Sequence, residues 1–195
     1  AEAFAKYEDE WAFLGKAGGE GIFQSTTAPV YTMASGSDAF ADVTFDDLLE
    51  VMNKLDEGAL SGAKWYMSFS IFNQLRKLKY ASGTASYILQ EPAGGMPATI
   101  WNIPVEFVSV MPKTSLQSQA GQKFIALANL SYMLFGDARQ YEVTISQEAT
   151  ITDTDGQTQV NLFEQDMSAV RVIERVDIQL AEASKAFAVC KTATS

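Results

Sequence analysis

The sequence contains no histidine and only one cysteine, and both facts narrow the chemistry open to it. Without histidine there is no Ser-His-Asp or Cys-His catalytic pair, no histidine-ligated zinc and no imidazole that titrates near neutral pH. The single thiol, Cys190, lies in the apolar run AFAVC and has no second cysteine with which to form a disulfide. We therefore expect Cys190 to be a buried, unreactive side chain and not a nucleophile.

Long apolar segments are also missing. The longest runs from Phe124 to Phe135 and is interrupted by Asn129 and Ser131, whereas a membrane-spanning helix needs about 20 apolar residues. We expect no secretory leader before the first helical pattern, because that pattern already contains Glu2. We therefore expect a soluble protein with no membrane partner. Because the chain starts without Met or an N-cap, we also expect it to be processed or truncated.

Positive charge is scarce, since 14 Lys and Arg oppose 24 Asp and Glu and give a formal net charge of −10. This argues against a general nucleic-acid binder, which needs a basic face. It leaves open a container whose wall encloses nucleic acid without gripping it. With 195 residues, 47% of them hydrophobic and 19% charged, the chain is expected to fold around one sizeable core or two small lobes sharing it.

The most informative segment lies near the C-terminus. Apolar residues there fall on every second position, interrupted once by Glu174, at Val170, Val172, Val176, Ile178 and Leu180. This is the period of a strand with one buried face. The opposite face carries Arg171, Ile173, Arg175, Asp177 and Gln179. The segment is about twice the usual strand length of roughly five or six residues. We predict either a strand whose charged face is met by another surface, or a half-exposed strand with solvated charges.

Three segments have helical periodicity. The first places apolar residues at Phe4, Tyr7, Trp11 and Leu14. The second follows an N-cap at Thr44, ends at Gly58 and has on one face Phe45, Leu48, Leu49, Met52 and Leu55. The third follows Ser68, with Phe72, Leu75 and Leu78 inward and a basic outward face of Arg76, Lys77 and Lys79. We expect a loose connection between the first two helices, from Ser25 to Asp42.

Strand patterns fill the second half of the chain. Residues 103–110 read as a strand that ends before Pro112, and the nearly all-apolar residues 124–134 as a strand buried on both faces. Tyr141, Val143 and Ile145 alternate with polar residues, which predicts a half-exposed strand. Asp155-Gly156 is a hairpin signal, with a return strand through Val160 and Leu162.

No segment has the pattern of a chemical site. The glycines from Gly15 to Gly21 match neither the dinucleotide nor the phosphate-loop spacing and predict a tight turn. Asp153, Asp155 and Gly156 resemble a calcium loop only superficially, because the glycine stands in the fourth place and not the sixth. No nucleophile, base and oxyanion site occur together. We therefore predict no catalytic residue, no metal site, no cofactor and no enzymatic activity.

Five short motifs occur in order along nearly the whole chain. They are an opening helix end with its turn (Phe-Leu-Gly15 and Gly21-Ile-Phe), Trp65-Tyr-Met-Ser68, Ile103-Pro104-Val105, Phe135-Gly136-Asp137, and F-x-x-D-x-x-A-V-R-x-x-x-R-x-D from Phe163 to Asp177. Each motif alone is weakly specific. Together, in this order, they resemble the major capsid proteins of tailed bacteriophages of the Hong Kong ninety-seven type.

The resemblance implies an α+β fold with two lobes. An axial lobe would hold a mixed sheet flanked by helices, and a peripheral lobe would hold the end of a spine helix and a long β-hairpin. Residues 1–42 and 136–168 are assigned to the peripheral lobe, residues 43–135 to the axial lobe, and residues 169–195 to the return strand and axial lobe. The family's N-terminal arm, extended loop and most of its spine helix lie outside this sequence.

The chain departs from the family at two places. Asn102 stands where the family has a glycine, and asparagine is the side chain that best tolerates a left-handed backbone, so we expect the turn to be kept. Some relatives weld subunits through a Lys–Asn isopeptide bond assisted by a glutamate. The corresponding positions here are Asp166 and Ile173, so the resemblance does not extend to that crosslink.

The function implied by the resemblance is a structural one. Copies would assemble as pentamers and hexamers into an icosahedral virus head around double-stranded DNA, in the host cytoplasm, with portal, scaffold or maturation protease as further partners and no sequence-specific DNA contact. We assign the subunit interface to Asp166, Arg171, Arg175 and Asp177; the alternative for these four is a set of ion pairs within the chain. An encapsulin-like nanocompartment shell of the same fold and a non-viral ligand-binding domain remain alternative functions.

Overall fold

The computed structural model describes residues 2–15, 20–78, 98–152, 156, 157 and 159–194. Helices within these residues are α1 (Glu2–Leu14), α2 (Phe45–Asn53), α3 (Glu57–Leu60), α4 (Phe69–Leu75) and α5 (Ala183–Ala186). The strands are β1 (Val30–Thr32), β2 (Lys64–Met67), β3 (Thr99–Ile100), β4 (Ile103–Phe107), β5 (Lys123–Ala128), β6 (Met133–Ser146), β7 (Thr150–Thr152), β8 (Gln159–Asn161), β9 (Ala169–Leu180) and β10 (Phe187–Lys191). Lys79, Asp153 and Asp155, which carried sequence-based predictions, lie outside the described residues.

Six of the strands form one mixed sheet in the order β1-β10-β5-β2-β4-β3. The pairs β1/β10 and β2/β4 are parallel and the others antiparallel. The α+β class with a mixed sheet is therefore confirmed. Trp101 and Asn102 join β3 to β4 and both have a left-handed backbone, with φ of 49° and 64°. The prediction that Asn102 keeps the turn is thus confirmed.

The middle of the sheet is the hydrophobic core. Strand β5 is fully buried from Phe124 to Ala128, as predicted for a strand covered on both faces. The predicted continuation to Leu134 is wrong, because the strand ends at Ala128 and Asn129 caps a 3-10 helix. The Asn129 side-chain nitrogen donates to the carbonyls of Ala59 and Ser61, at 3.0 and 2.9 Å. A 3-10 helix then turns the chain, and β6 starts at Met133.

Helix α2 is anchored at its start by the predicted cap. The Thr44 hydroxyl accepts a hydrogen bond from the Asp47 N–H at 3.3 Å, and the Asp47 carboxylate accepts from the Thr44 N–H at 2.7 Å. Asp47 also accepts from the Tyr31 hydroxyl at 2.8 Å, which ties α2 to β1. The predicted inward face is wrong at one position: Leu49 is 43% exposed, because the helix turns Val51 into the core instead.

Side chains from α1 and from residues 40–42 pack on one face of the six-stranded sheet. Tyr66 pairs with Ala126 in the register of β2 and β5, and the ring of Phe13 lies 5.2 Å from that of Tyr66. The ring of Phe40 stacks on Phe124 at 4.7 Å. Because Phe124, Ala126 and Tyr66 share one side of the pleat, both contacts belong to the same face. Phe13 is the one fully buried side chain of α1, a position that the predicted helix face did not include.

A close approach of two backbone segments explains the glycines after α1. The N–H groups of Ile22 and Phe23 donate to the carbonyls of Ala12 and Phe13, at 2.9 and 2.8 Å, so the returning chain satisfies the free carbonyls of the helix end. A Cβ atom on Gly21 would lie 2.2 Å from the Gly15 nitrogen. The close approach of Gly15 and Gly21 agrees with the predicted tight turn, of which residues 16–19 lie outside the described part.

Contacts divide the chain into two compact units. One contains residues 1–134 and 178–195, and the other residues 135–177. Within the second unit, β7 and β8 pair antiparallel, as the predicted return strand requires. The assignment of residues 1–42 and 136–168 to a common peripheral lobe stays a prediction.

Candidate assembly surfaces

The predicted long C-terminal strand is β9, which pairs with β6 in a two-stranded sheet that we call the β6–β9 ribbon. The apolar residues of β9 alternate as predicted, but the predicted face is buried only near the end of the strand. Ile178 is 1% exposed, whereas Val170 is 62% and Val172 is 38% exposed. The prediction of a buried face is wrong for the first part of β9, because no described part of the chain covers those side chains.

Strand β6 is exposed on both faces from Glu142 to Ile145. Val143 and Ile145 are 60% and 67% exposed, and Glu142 and Thr144, which point to the opposite side of the pleat, are also exposed. The predicted half-buried strand is therefore wrong here. A strand that is solvated on both faces gains little from burial, so this surface is available for contact with another molecule.

The four predicted interface residues lie on and next to β9. Arg171, Arg175 and Asp177 are exposed and share one side of the strand, because they stand at even spacing. Asp166 is exposed in the turn that precedes β9 and has a left-handed backbone with φ of 51°. Neither arginine makes an ion pair or side-chain hydrogen bond with another described residue. Their role at an interface stays a prediction.

Sequence reasoning missed the most exposed aromatic side chain that the structure describes. Phe163 is 76% exposed and follows β8 in the turn that leads to Asp166. Its signal in the sequence was the first position of the closing F-x-x-D motif, where we read it as part of a pattern and not as a contact residue. A large apolar side chain held in water is more informative than a buried one.

Two further apolar surfaces lie on the first unit. We call Phe45, Leu49 and Trp101 the α2 patch, in which the Phe45 and Trp101 rings meet edge to face at 5.7 Å. We call Phe69, Phe72 and Phe107 the α4 patch, in which Phe107 meets each of the other two rings at 5.3 Å. The packed rings hold each other in place, so both patches present ordered apolar surface.

Two potentially reactive side chains among the described residues, Cys190 and Lys123, have structural roles. Cys190 is fully buried, and burial raises the pKa of its thiol, which suppresses the thiolate. Burial also lowers the pKa of Lys123, with a smaller contribution from Lys191, but the Lys123 amine donates to the Phe23 carbonyl at 2.5 Å. No group of three or more potential metal ligands occurs among the described residues.

Two further observations concern an open groove and the length of the helices. A groove of about 530 Å³, lined by residues of the segment 109–117, is open to solvent and has Lys113 as its one charged lining residue. Among the helices that the structure describes, none combines the length and the apolar character needed to cross a membrane.

Comparison with solved structures identifies the fold. The chain matches the capsid of an empty GTA particle (C5 symmetry) with a TM-score of 0.68 and 18% identity, over 98% of this chain and 63% of that one. It matches Gordonia phage Cozz with a TM-score of 0.68 and 13% identity, over 100% and 61%. For Mycobacterium phage Adephagia the TM-score is 0.60 and the identity 17%, over 100% and 62%. The chain thus spans about three fifths of these proteins.

Comparison of the sequence with protein families gives the family itself. No curated protein matches the chain. The profile of the phage capsid family, by contrast, matches residues 1–192, which is nearly the whole sequence. Together with the mixed sheet and its helices, this match establishes that the chain belongs to the phage capsid family.

Proposed function

We propose that copies of this chain associate as pentamers and hexamers into an icosahedral virus head that encloses double-stranded DNA. The protein would be a component of the virion, assembled in the host cytoplasm. It would contact the packaged DNA without reading its sequence. Portal, scaffold and maturation protease are the further partners that such an assembly would use.

The observation that carries the proposal is the exposed apolar surface of residues 135–177. Leu162 is the one fully buried hydrophobic side chain that the structure describes in this unit. Large apolar side chains that remain exposed there are Phe135, Val143, Ile145, Ile151, Phe163, Met167, Val170 and Val172. A unit of this size gains too little from its own core to be stable with so much apolar surface in water. Contact with neighbouring copies removes that surface from water.

Charge on the same unit supports an ordered contact. Arg171 and Arg175 have no ion-pair partner among the described residues, and they stand on a chain with an excess of carboxylates. Placed against acidic side chains of a neighbour, they would set the register of the contact. The C5 symmetry of the GTA particle capsid, a protein of the same fold, supports five-fold rings.

The mode of action we infer is association without turnover. The absence of histidine, the buried Cys190 and the structural use of Lys123 support this inference. The lobe boundaries derived from the family resemblance, and the interface roles of Asp166, Arg171, Arg175 and Asp177, are part of the same proposal.

Electron microscopy of the full-length protein expressed alone tests the proposal. We expect closed isometric shells in which subunits are grouped in fives and sixes. Particles from the natural source should contain nuclease-protected double-stranded DNA. A protein that stays monomeric at every concentration tested, with no particle formed, would contradict the proposal.

A protein-filled compartment shell of the same fold is the second candidate. The observation that favours it is the net charge of −10, because an acidic wall attracts no nucleic acid. The same particles distinguish the two functions. A particle that contains a protein cargo and no genome identifies the compartment, and a particle filled with DNA identifies the virus head.

A further inference from the structure

The α2 patch lies outside the hydrophobic core, because a different side of helix α2 packs into that core. Leu48 and Val51 are fully buried, whereas Leu49 is 43% and Trp101 is 41% exposed. Trp101 is also held in a left-handed backbone conformation, which is unusual for a bulky side chain. Such conformations persist where the side chain has a purpose beyond folding.

The α4 patch is an equally exposed aromatic cluster. Phe69 is 57% and Phe107 is 46% exposed, while Phe72 beneath them is buried. The segment that carries Lys113 is fixed against the start of α4, because the Ser68 hydroxyl donates to the Pro112 carbonyl at 2.8 Å. Lys113 is therefore held close to the exposed rings.

The two patches have opposite electrostatic surroundings. Asp46 and Glu50 are exposed carboxylates of α2 and are neighbours in the chain of Phe45 and Leu49, whereas Asp47 is buried in the helix cap. Three basic residues lie close in the chain to the α4 patch or to the segment fixed against it: Arg76, Lys77 and Lys113. Glu106, next to Phe107, is paired with Lys64 at 2.8 Å. In a chain of net charge −10, this segregation makes the two patches complementary.

Two different patches can join copies either reciprocally about a two-fold axis or head to tail. Trp101 stands just before β4 and Phe107 is its last residue. The extended strand β4 from Ile103 to Phe107 spans about 13 Å. When two complementary patches at opposite ends of one strand are used head to tail, the contacts repeat and close into rings or open into filaments.

We propose that the α2 patch of one copy docks onto the α4 patch of the next copy around each capsomer ring. The proposal rests on the proposed shell function, and it names the surfaces that join neighbours within a ring. Phe45, Leu49 and Trp101 supply one apolar side and Phe69 and Phe107 the other. Asp46 and Glu50 face Lys77 and Lys113 at the rim.

Crosslinking in the full-length protein tests the direction of the contact. Cys190 is fully buried, so introduced cysteines are the accessible thiols among the described residues. With Glu50→Cys and Lys113→Cys on the same chain, a short bis-maleimide should link shells into a ladder that ends at five and six subunits under denaturing conditions. Each single variant should stay uncrosslinked. A Glu50→Cys variant that crosslinks to itself would overturn the head-to-tail contact.

Charge exchange tests the complementarity. Glu50→Lys and Lys113→Glu should each weaken ring association by about tenfold, and the double variant should recover most of that loss. Glu20→Lys is a matched control, because Glu20 is exposed and outside both patches. Shells that form normally in the wild type and in both single variants would refute the patch contact and leave the shell function intact. A wild type that forms no shells would refute both.

Discussion

Replacing Phe163 with alanine changes a side chain that is 76% exposed in the isolated chain. Burying a whole phenylalanine side chain contributes about 1.5–3 kcal/mol. A shell that covers the exposed three quarters of Phe163 would therefore gain about 1–2 kcal/mol per copy from this ring. Losing it should raise the protein concentration needed for assembly by about tenfold for each contact that contains the ring.

The assay compares assembly with folding in the same variant. Light scattering against protein concentration measures shell formation, and urea unfolding of the unassembled subunit measures stability. We expect the unfolding midpoint of Phe163→Ala to equal that of the wild type, because the alanine removes few contacts within the chain. The control is Phe124→Ala, which removes a fully buried ring stacked on Phe40 and should destabilise the subunit by about 3–5 kcal/mol.

The reverse result would refute the reasoning. If Phe163→Ala lowers the unfolding midpoint while shells still form at the wild-type concentration, the ring stabilises the subunit and takes no part in assembly. The main argument that the exposed apolar surface of residues 135–177 is an interface would then fail.

Three further predictions concern single side chains. Arg175→Glu should reduce shell yield with unchanged subunit unfolding, and normal shells by electron microscopy would remove Arg175 from the interface. Asn129→Ala loses three side-chain hydrogen bonds at a buried position and should lower the free energy of unfolding in urea by about 2–3 kcal/mol; an unchanged value would contradict the turn described here. Burial, and then the hydrogen bond to Asp47, raise the pKa of Tyr31 to about 12. The pKa of Tyr31 is higher in the folded than in the unfolded state, so the neutral hydroxyl contributes fully to the free energy of unfolding below about pH 10. This contribution is lost as the pH rises through about 12. Tyr31→Phe should therefore show a smaller alkaline loss of stability, and an equal loss would refute the link.

Local signals in the sequence predicted the elements that carry their own determinants. Thr44 caps α2, Asn102 adopts the left-handed turn, and residues 124–128 form the buried central strand. Each depends on the residue itself or on an uninterrupted apolar run. Strand β1 was missed and read as a loose connection, because three residues next to β10 gain their hydrogen bonds from a strand far away in the sequence.

Burial was the property that sequence reasoning predicted least well. Val170, Val172, Val143 and Ile145 have the alternation of a half-buried sheet, yet all four are exposed in the single chain. An alternating pattern indicates that one face of a strand is apolar, but it does not show whether the same chain or another molecule covers that face. The missed Phe163 follows the same rule. In the proposed assembly, neighbouring copies cover these side chains, which explains why they resemble core residues in the sequence.

The sequence by itself determined the fold class and the family, because capping residues, turn residues and motif order are local and survive without knowledge of contacts. The absence of histidine also determined which catalytic pairs the chain cannot form. Tertiary structure alone decided which apolar side chains remain in water, and that the α2 and α4 patches stand at opposite ends of β4. Those properties depend on distances between residues far apart in the chain, which folding sets through packing that no local pattern encodes.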